Sequence, residues 1–167
     1  WLGKDKANKA WYPSTLGNTT LFLNNEKGAF SDLAFRQAAS TVIDREQLAK
    51  QGSAGASTPI SSVTGLPESG KSFIADDYKG KTFKTSLSDA KSILTKAGYT
   101  GVGTKDGLKD TKGKVVSVML TDPAGWSDYD TELQLIGSEL QSLGAKVTVQ
   151  NPSYDTWNDQ IAKGNFD

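Results

Sequence analysis

The chain contains neither cysteine nor histidine among its 167 residues, so it has no thiolate and no imidazole to offer. That removes Cys nucleophiles, Ser-His-Asp triads and the usual zinc ligand sets. Carboxylates and aromatic rings remain. Asp76-Asp77 is a carboxylate pair in a polar loop and reads as solvated, with no basic partner assigned to it. A glycosidase-like pair needs surroundings that drive two carboxyl pKa values apart. The acids here fall in polar loops and helix caps, which points to binding rather than catalysis, with no cofactor and no metal.

Trp126 is the strongest binding candidate. It follows an Asp122-Pro123-Ala124-Gly125 turn at the carboxyl end of an apolar strand, and open α/β sheets place ligands outside such ends. An indole face there can stack on a sugar ring or a peptide side chain, or it can fold onto its own helix cap. Ser127, Asp122 and Asp128 could add hydrogen bonds; all three are also ordinary turn and cap residues. Trp11 and Tyr12, beside Pro13, make either a stacking surface or the cover of a core edge. Asn25, after Asn24, ends a second apolar run facing the same region. The candidate ligand contacts are therefore Trp126, Trp11, Tyr12, Asn25 and Ser127. Trp157 sits on an apolar helical face and reads as core. Gly101-Val102-Gly103 lacks the strand-before, helix-after context of a phosphate loop.

The elements that must position these residues follow from periodicity. Leu21-Phe22-Leu23 predicts a strand over Thr20–Asn24. Ser31 is a good N-cap for a helical pattern carried by Ala34, Phe35, Ala38, Ala39 and Val42. Asp44 with Gln47 resembles a capping box, so a second helix starts there and the helical region spans Asp32–Lys50. Arg36 and Arg45, the two arginines of the chain, read as structural clamps, since a planar fork suits a fixed ion pair. A long Gly/Ser/Thr/Pro-rich loop follows. Ser86 and Asp89 box the start of a helix over Leu87–Ala97, which Gly98 ends. Val115–Leu120 predicts a strand covered on both faces. A helix over Tyr129–Leu143, a strand over Lys146–Gln150 and a helix over Tyr154–Lys163 complete the order, which implies a crossover and a parallel pair.

Charge and composition exclude other classes. Lysine plus arginine equals aspartate plus glutamate at 19 each, so nothing electrostatic calls for nucleic acid or an anionic membrane. No apolar run approaches the length of a membrane-spanning helix, and no signal peptide is visible. Modest hydrophobic content (36 %) with 17 glycines suits an α/β domain rich in turns.

Several blocks carry a resemblance. Phe30, Asp32 and Arg36-Gln37-Ala38, followed by Ile43-Asp44-Arg45-Glu46, resemble the "F-x-D-x-x-x-R-Q-A … I-D-R-E" pattern of family 5 extracellular solute-binding proteins. Ala29 stands where that family usually has proline, which bears on loop stiffness alone. Ala90 through Ala97-Gly98-Tyr99 is similar to its "A-K-x-L-L-x-x-A-G-Y" helix, and Gly164 to Asp167 to its "G-x-F-D". The resemblance implies an α/β fold with a mixed sheet flanked by helices, one lobe of a two-lobed periplasmic-binding-protein-like architecture. Residues 1–167 are then a single lobe excised from a larger protein. It further implies a non-enzymatic subunit of an ABC importer that captures oligopeptides by lobe closure. Its partners would be the remaining lobe and a membrane permease. Its place would be extracytoplasmic, either periplasmic or lipid-anchored on the outer face of the cell membrane. Oligosaccharide capture is the alternative, because Trp11-Tyr12-Pro13, Thr64-Gly65-Leu66-Pro67 and Gly125-Trp126-Ser127-Asp128 look like oligosaccharide-binding members. A free-standing interaction module is the alternative outside transport.

Overall fold

The computed structural model describes residues 3–9 and 17–167. Helices α1 (Leu33–Val42), α2 (Arg45–Gln51) and α3 (Leu87–Lys96) precede strand β1 (Ser117–Thr121). Helix α4 (Ser127–Ser142), strand β2 (Lys146–Gln150) and helix α5 (Tyr154–Ala162) follow. The two strands form a parallel pair in register, Ser117 opposite Lys146 and Thr121 opposite Gln150, joined by α4 as the crossover. The expected α/β arrangement of helices flanking a sheet is present. Among the described residues, however, the sheet is this two-stranded parallel pair.

One core unites these elements. Phe35, Ala38, Ala39 and Val42 of α1 meet Ala90 and Leu94 of α3, with Val118, Leu120, Leu133, Ile136 and Leu140 in the same cluster. Phe30 and Phe35 lie with ring centroids 5.2 Å apart, and both are fully buried. Burying a side chain of this size favours the folded state by about 1.5–3 kcal/mol. The helical periodicity read from the sequence therefore finds its partners.

Helix starts follow the caps closely, with one correction. Asp32, not Ser31, caps α1: its Oδ1 accepts from Phe35 N at 3.0 Å, while Ser31 Oγ donates to Gly28 O in the preceding 3-10 turn. Asp44 caps α2 by accepting from both Glu46 N and Gln47 N. The reciprocal half of its box is made across the fold, where Asp44 N donates to Glu139 Oε1 of α4 at 2.9 Å. Ser86 Oγ accepts from Asp89 N, and Ser86 N donates to Thr41 O, which ties the start of α3 to α1.

Other expectations change on contact with the structure. Thr20–Asn24 forms no strand and joins no ladder; Asn24 is held by its side chain instead, Nδ2 donating to Gly164 O and Phe166 O. A short apolar run has strand propensity, yet a strand exists only where a partner edge is available. β1 begins at Ser117, and Val115 ahead of it is 47 % exposed, so double-sided cover starts later than expected. The arginines do clamp, but onto carbonyls. Arg36 donates to Phe30 O at 2.6 Å; Arg45 donates to Ser40 O and Ile43 O and lies 3.7 Å over the Phe83 ring. Asp76 does have a basic partner, Lys79 at 2.5 Å, in a fully solvated pair.

Candidate functional site

Because β1 and β2 are parallel and in register, their carboxyl ends leave the sheet side by side. Each leads through a short turn into a helix, residues 122–126 into α4 and 151–153 into α5. Two helix N-termini therefore stand at one edge. Ala124 N donates to Pro152 O at 2.8 Å and joins the two turns. In the first turn Asp122 and Pro123 are buried, and Gly125 adopts φ +87°, a conformation that side-chain-bearing residues rarely take. That bend delivers Trp126 to the N-cap of α4, where its indole makes no cap bond and is free to face outward. The helix starts at Ser127, two residues earlier than periodicity alone indicates, because Asp130 N already reaches Trp126 O at 3.0 Å. In the second turn Ser153 Oγ accepts from Thr156 N and starts α5 with Tyr154.

These two starts build a row of rings. Trp126 stacks on Tyr154 with centroids 6.0 Å apart and planes 24° from parallel. Tyr129 lies 5.5 Å from Trp126, and Trp157 lies 6.0 Å from Tyr154. The row runs Tyr129, Trp126, Tyr154, Trp157. Trp126 is 43 % exposed and Tyr154 53 % exposed, so the centre of the row presents aromatic surface to solvent. Offset and tilted aromatic pairs are worth about 0.5–1.5 kcal/mol beyond area burial, enough to hold the rings in place without a covering layer.

Charge at this edge is of one sign. Asp122, Asp128, Asp130 and Asp155 belong to the two turns and the first helical turns. Between residues 121 and 158 the single basic residue is Lys146, at the opposite end of β2. Acids here also complement the positive ends of the helix dipoles. Asp122 is the exception to solvation, at 6 % exposure. The amide nitrogen of Asn151 donates to Asp122 Oδ1 and to Asp130 Oδ1, bridging the two carboxylates. Asp122 Oδ2 is buried and has no partner among the described residues. Burial pushes the Asp122 carboxyl up to about 6, reinforced by the charge of Asp130 and opposed by the Asn151 hydrogen bond.

Of the residues expected to bind, Trp126 and Ser127 occupy this edge, and both are exposed. Asn25 is also exposed, but it sits in the bend after Asn24 and makes no hydrogen bond to the row among the described residues. Trp11 and Tyr12 lie outside the described residues. Sequence reasoning missed Tyr154, Tyr129 and Asn151. It read Trp157 as core, whereas α5 buries no residue fully and Trp157 is half-buried. The available signal was position: Tyr154 directly follows a cap at the end of a strand, the same placement that singled out Trp126.

Residues 2–167 match the family model described as bacterial extracellular solute-binding proteins, family 5, middle part. The chain belongs to this family. The oligopeptide-binding protein AppA of Bacillus subtilis is 27 % identical over 145 residues, covering 86 % of this chain and 26 % of its own length. Among solved structures, the periplasmic oligopeptide-binding protein of an oligopeptide ABC transporter from Thermotoga maritima, bound to mannohexaose, superposes with TM-score 0.77. It is 26 % identical and covers 87 % of this chain and 28 % of the other. The structure of B. subtilis AppA with a nonapeptide gives TM-score 0.69 at 22 % identity, covering 83 % of this chain and 27 % of that one, and supports the fold. The family 5 chain described here thus spans about a quarter of the length of the curated relative. No described helix is long and apolar enough to cross a membrane.

Proposed function

We propose that this chain is one lobe of a solute-binding protein that serves an ABC importer, capturing oligopeptides by closure of two lobes around the ligand. The ring row at the carboxyl edge of β1 and β2 carries this reading. It is exposed, held by two linked turns, and lies where open α/β sheets receive ligands. Hinge closure would bring a second lobe against that edge, so that the stacked rings become one wall of a cleft. The mechanism is binding. The carboxylate pair with a shifted member, Asp122 and Asp130, is bridged by an amide, and Asp122 is buried below the surface. In keeping with the family, the protein would work outside the cytoplasm, periplasmic or lipid-anchored, and hand its ligand to a membrane permease.

A second reading, capture of a neutral oligosaccharide, has its own support. The edge combines flat aromatic faces with carboxylate and amide acceptors and holds no cation. Sugar rings stack on such faces and donate hydroxyls to such acceptors. The Thermotoga relative bound to mannohexaose is in line with it. Thermal-shift screening of the full-length protein against oligopeptides and neutral oligosaccharides separates the readings. A ligand at a hundred times its Kd stabilises by about 2.7 kcal/mol, which is readily seen. Stabilisation by peptides supports the first, by sugars the second. Stabilisation by neither class, with a protein partner retained in its place, would favour a free-standing interaction module.

A further inference from the structure

The bridge beneath the ring row is placed to do more than hold a turn. Asp122 precedes Trp126 by four residues, and Asp130 follows it by four. Asn151 precedes Tyr154 by three. The amide of Asn151 thus ties together both ends of the segment that carries Trp126 and the turn that carries Tyr154. An amide nitrogen has two protons, and here each goes to a different carboxylate. Neither can be given up without loosening one turn against the other.

We propose that Asp122 and Asn151 are positioning residues for the stacked Trp126–Tyr154 pair, and that Asp122 makes the setting of that pair responsive to mild acid. The charged groups facing Asp122 are Asp130 and Asp128, both from α4. From the β2–α5 side it meets the Asn151 amide and the Gln150 carbonyl, which accepts from Asp122 N at 3.4 Å; neither titrates. With Asp122 charged, two carboxylates repel across a single amide. With Asp122 protonated, Oδ1 still accepts from Asn151, because the proton can reside on the unpartnered Oδ2. Protonation therefore relieves the repulsion within the β1–α4 segment and turns the charge-assisted bond from Asn151, which links the two turns, into a weaker neutral one. The buried carboxyl titrates near pH 6, within reach of ordinary changes outside a cell. Acidification therefore resets the first turn against the second, and with it the setting of the ring wall. This extends the proposed ligand wall to its support and rests on that reading only for its effect on binding.

The test is fluorine NMR of the chain labelled with 5-fluorotryptophan. Its four tryptophans give separate signals, and Trp126→Phe assigns the one at issue. The Trp126 signal is expected to shift with pH with a midpoint near 6. Asp122→Asn, which keeps the acceptor oxygen, should abolish that titration and hold the signal at its acid position. Asp130→Asn should move the midpoint down. A Trp126 signal that stays flat between pH 4.5 and 7.5, or that titrates unchanged in Asp122→Asn, overturns the proposal. Affinity for mannohexaose or a nonapeptide probe in the full-length protein should change severalfold between pH 7.5 and 5, and Asp122→Asn should erase that change. If the ring signal titrates as expected but neither probe binds, the positioning role stands and the ligand reading fails.

Discussion

Trp126 is the candidate residue whose placement the sequence made most legible, and the reason is local. Pro123 and Gly125 keep the chain out of helix until the indole has been delivered, and both are visible in the sequence. Its stacking partner Tyr154 is 28 residues away, and no periodicity links them. Only the parallel register of β1 and β2 brings the two turns together. Trp126→Ala removes two ring contacts from a side chain that is already 43 % exposed. The chain should lose on the order of 1 kcal/mol by urea unfolding. Several kcal/mol would make Trp126 a core residue. Asp122 was read as an ordinary turn acid, since burial cannot be seen in a polar loop. Its carboxyl lies above the unfolded value of 3.8, at about 6, so the folded chain holds that proton more tightly than the unfolded one. Stability from this group is fully present below about pH 4 and is lost as pH rises to 6. Above that the charged form costs up to about 3 kcal/mol. Urea unfolding of Asp122→Asn should therefore show it more stable than the parent at pH 7.5 and equal to it near pH 4. A variant less stable at pH 7.5 would mean that the charge is compensated.

Elements were legible where one side of the pattern is buried. The apolar stripes of α1, α3 and α4 supply most of the core cluster, because a helical stripe needs only a neighbour and each has one, although Leu87 at the start of α3 is exposed. Thr20–Asn24 was not legible as it stands, since strand pairing depends on a partner elsewhere in the chain. α5 shows the same limit: an apolar spacing of Tyr154, Trp157 and Ile161 implies a covered face, yet none of the three is fully buried. Gly137 tests how tightly α4 sits on the sheet. It is a buried helical position, and an added Cβ would meet Val147 Cγ1 at 3.5 Å and Val149 Cγ2 at 3.8 Å. Those are ordinary van der Waals separations. Gly137→Ala should then gain the helix propensity of alanine, up to about 1 kcal/mol, and raise the thermal midpoint. A loss of more than that amount in a thermal melt would show that α4 and β2 cannot separate by even a few tenths of an ångström.

At the scale of the molecule, the ring row is, among the described residues, a surface without an opposite wall. Its two central rings remain about half exposed, and their neighbours contribute acids and amides but no enclosing side. A ligand laid on them would keep one face in water. Affinity depends on desolvation at the centre of a contact and on groups held ready for it, and a single open face offers little of either. The chain spans about a quarter of the length of its curated relative, and on the proposed two-lobe reading the closing surface belongs to the second lobe. The blocks that marked family 5 as a whole lie in and beside α1, α2 and α3 and in the last four residues, and none of them includes a ring of the row. Family membership was therefore readable, while the wall itself required the fold. Isothermal titration of the 167-residue chain with mannohexaose or with a nonapeptide should give dissociation constants in the millimolar range or no heat. Full-length protein should bind one of the two at least a hundredfold more tightly, about 2.7 kcal/mol in free energy. Micromolar binding by the 167-residue chain alone would show that the ring row is a complete site and that lobe closure is not what holds the ligand.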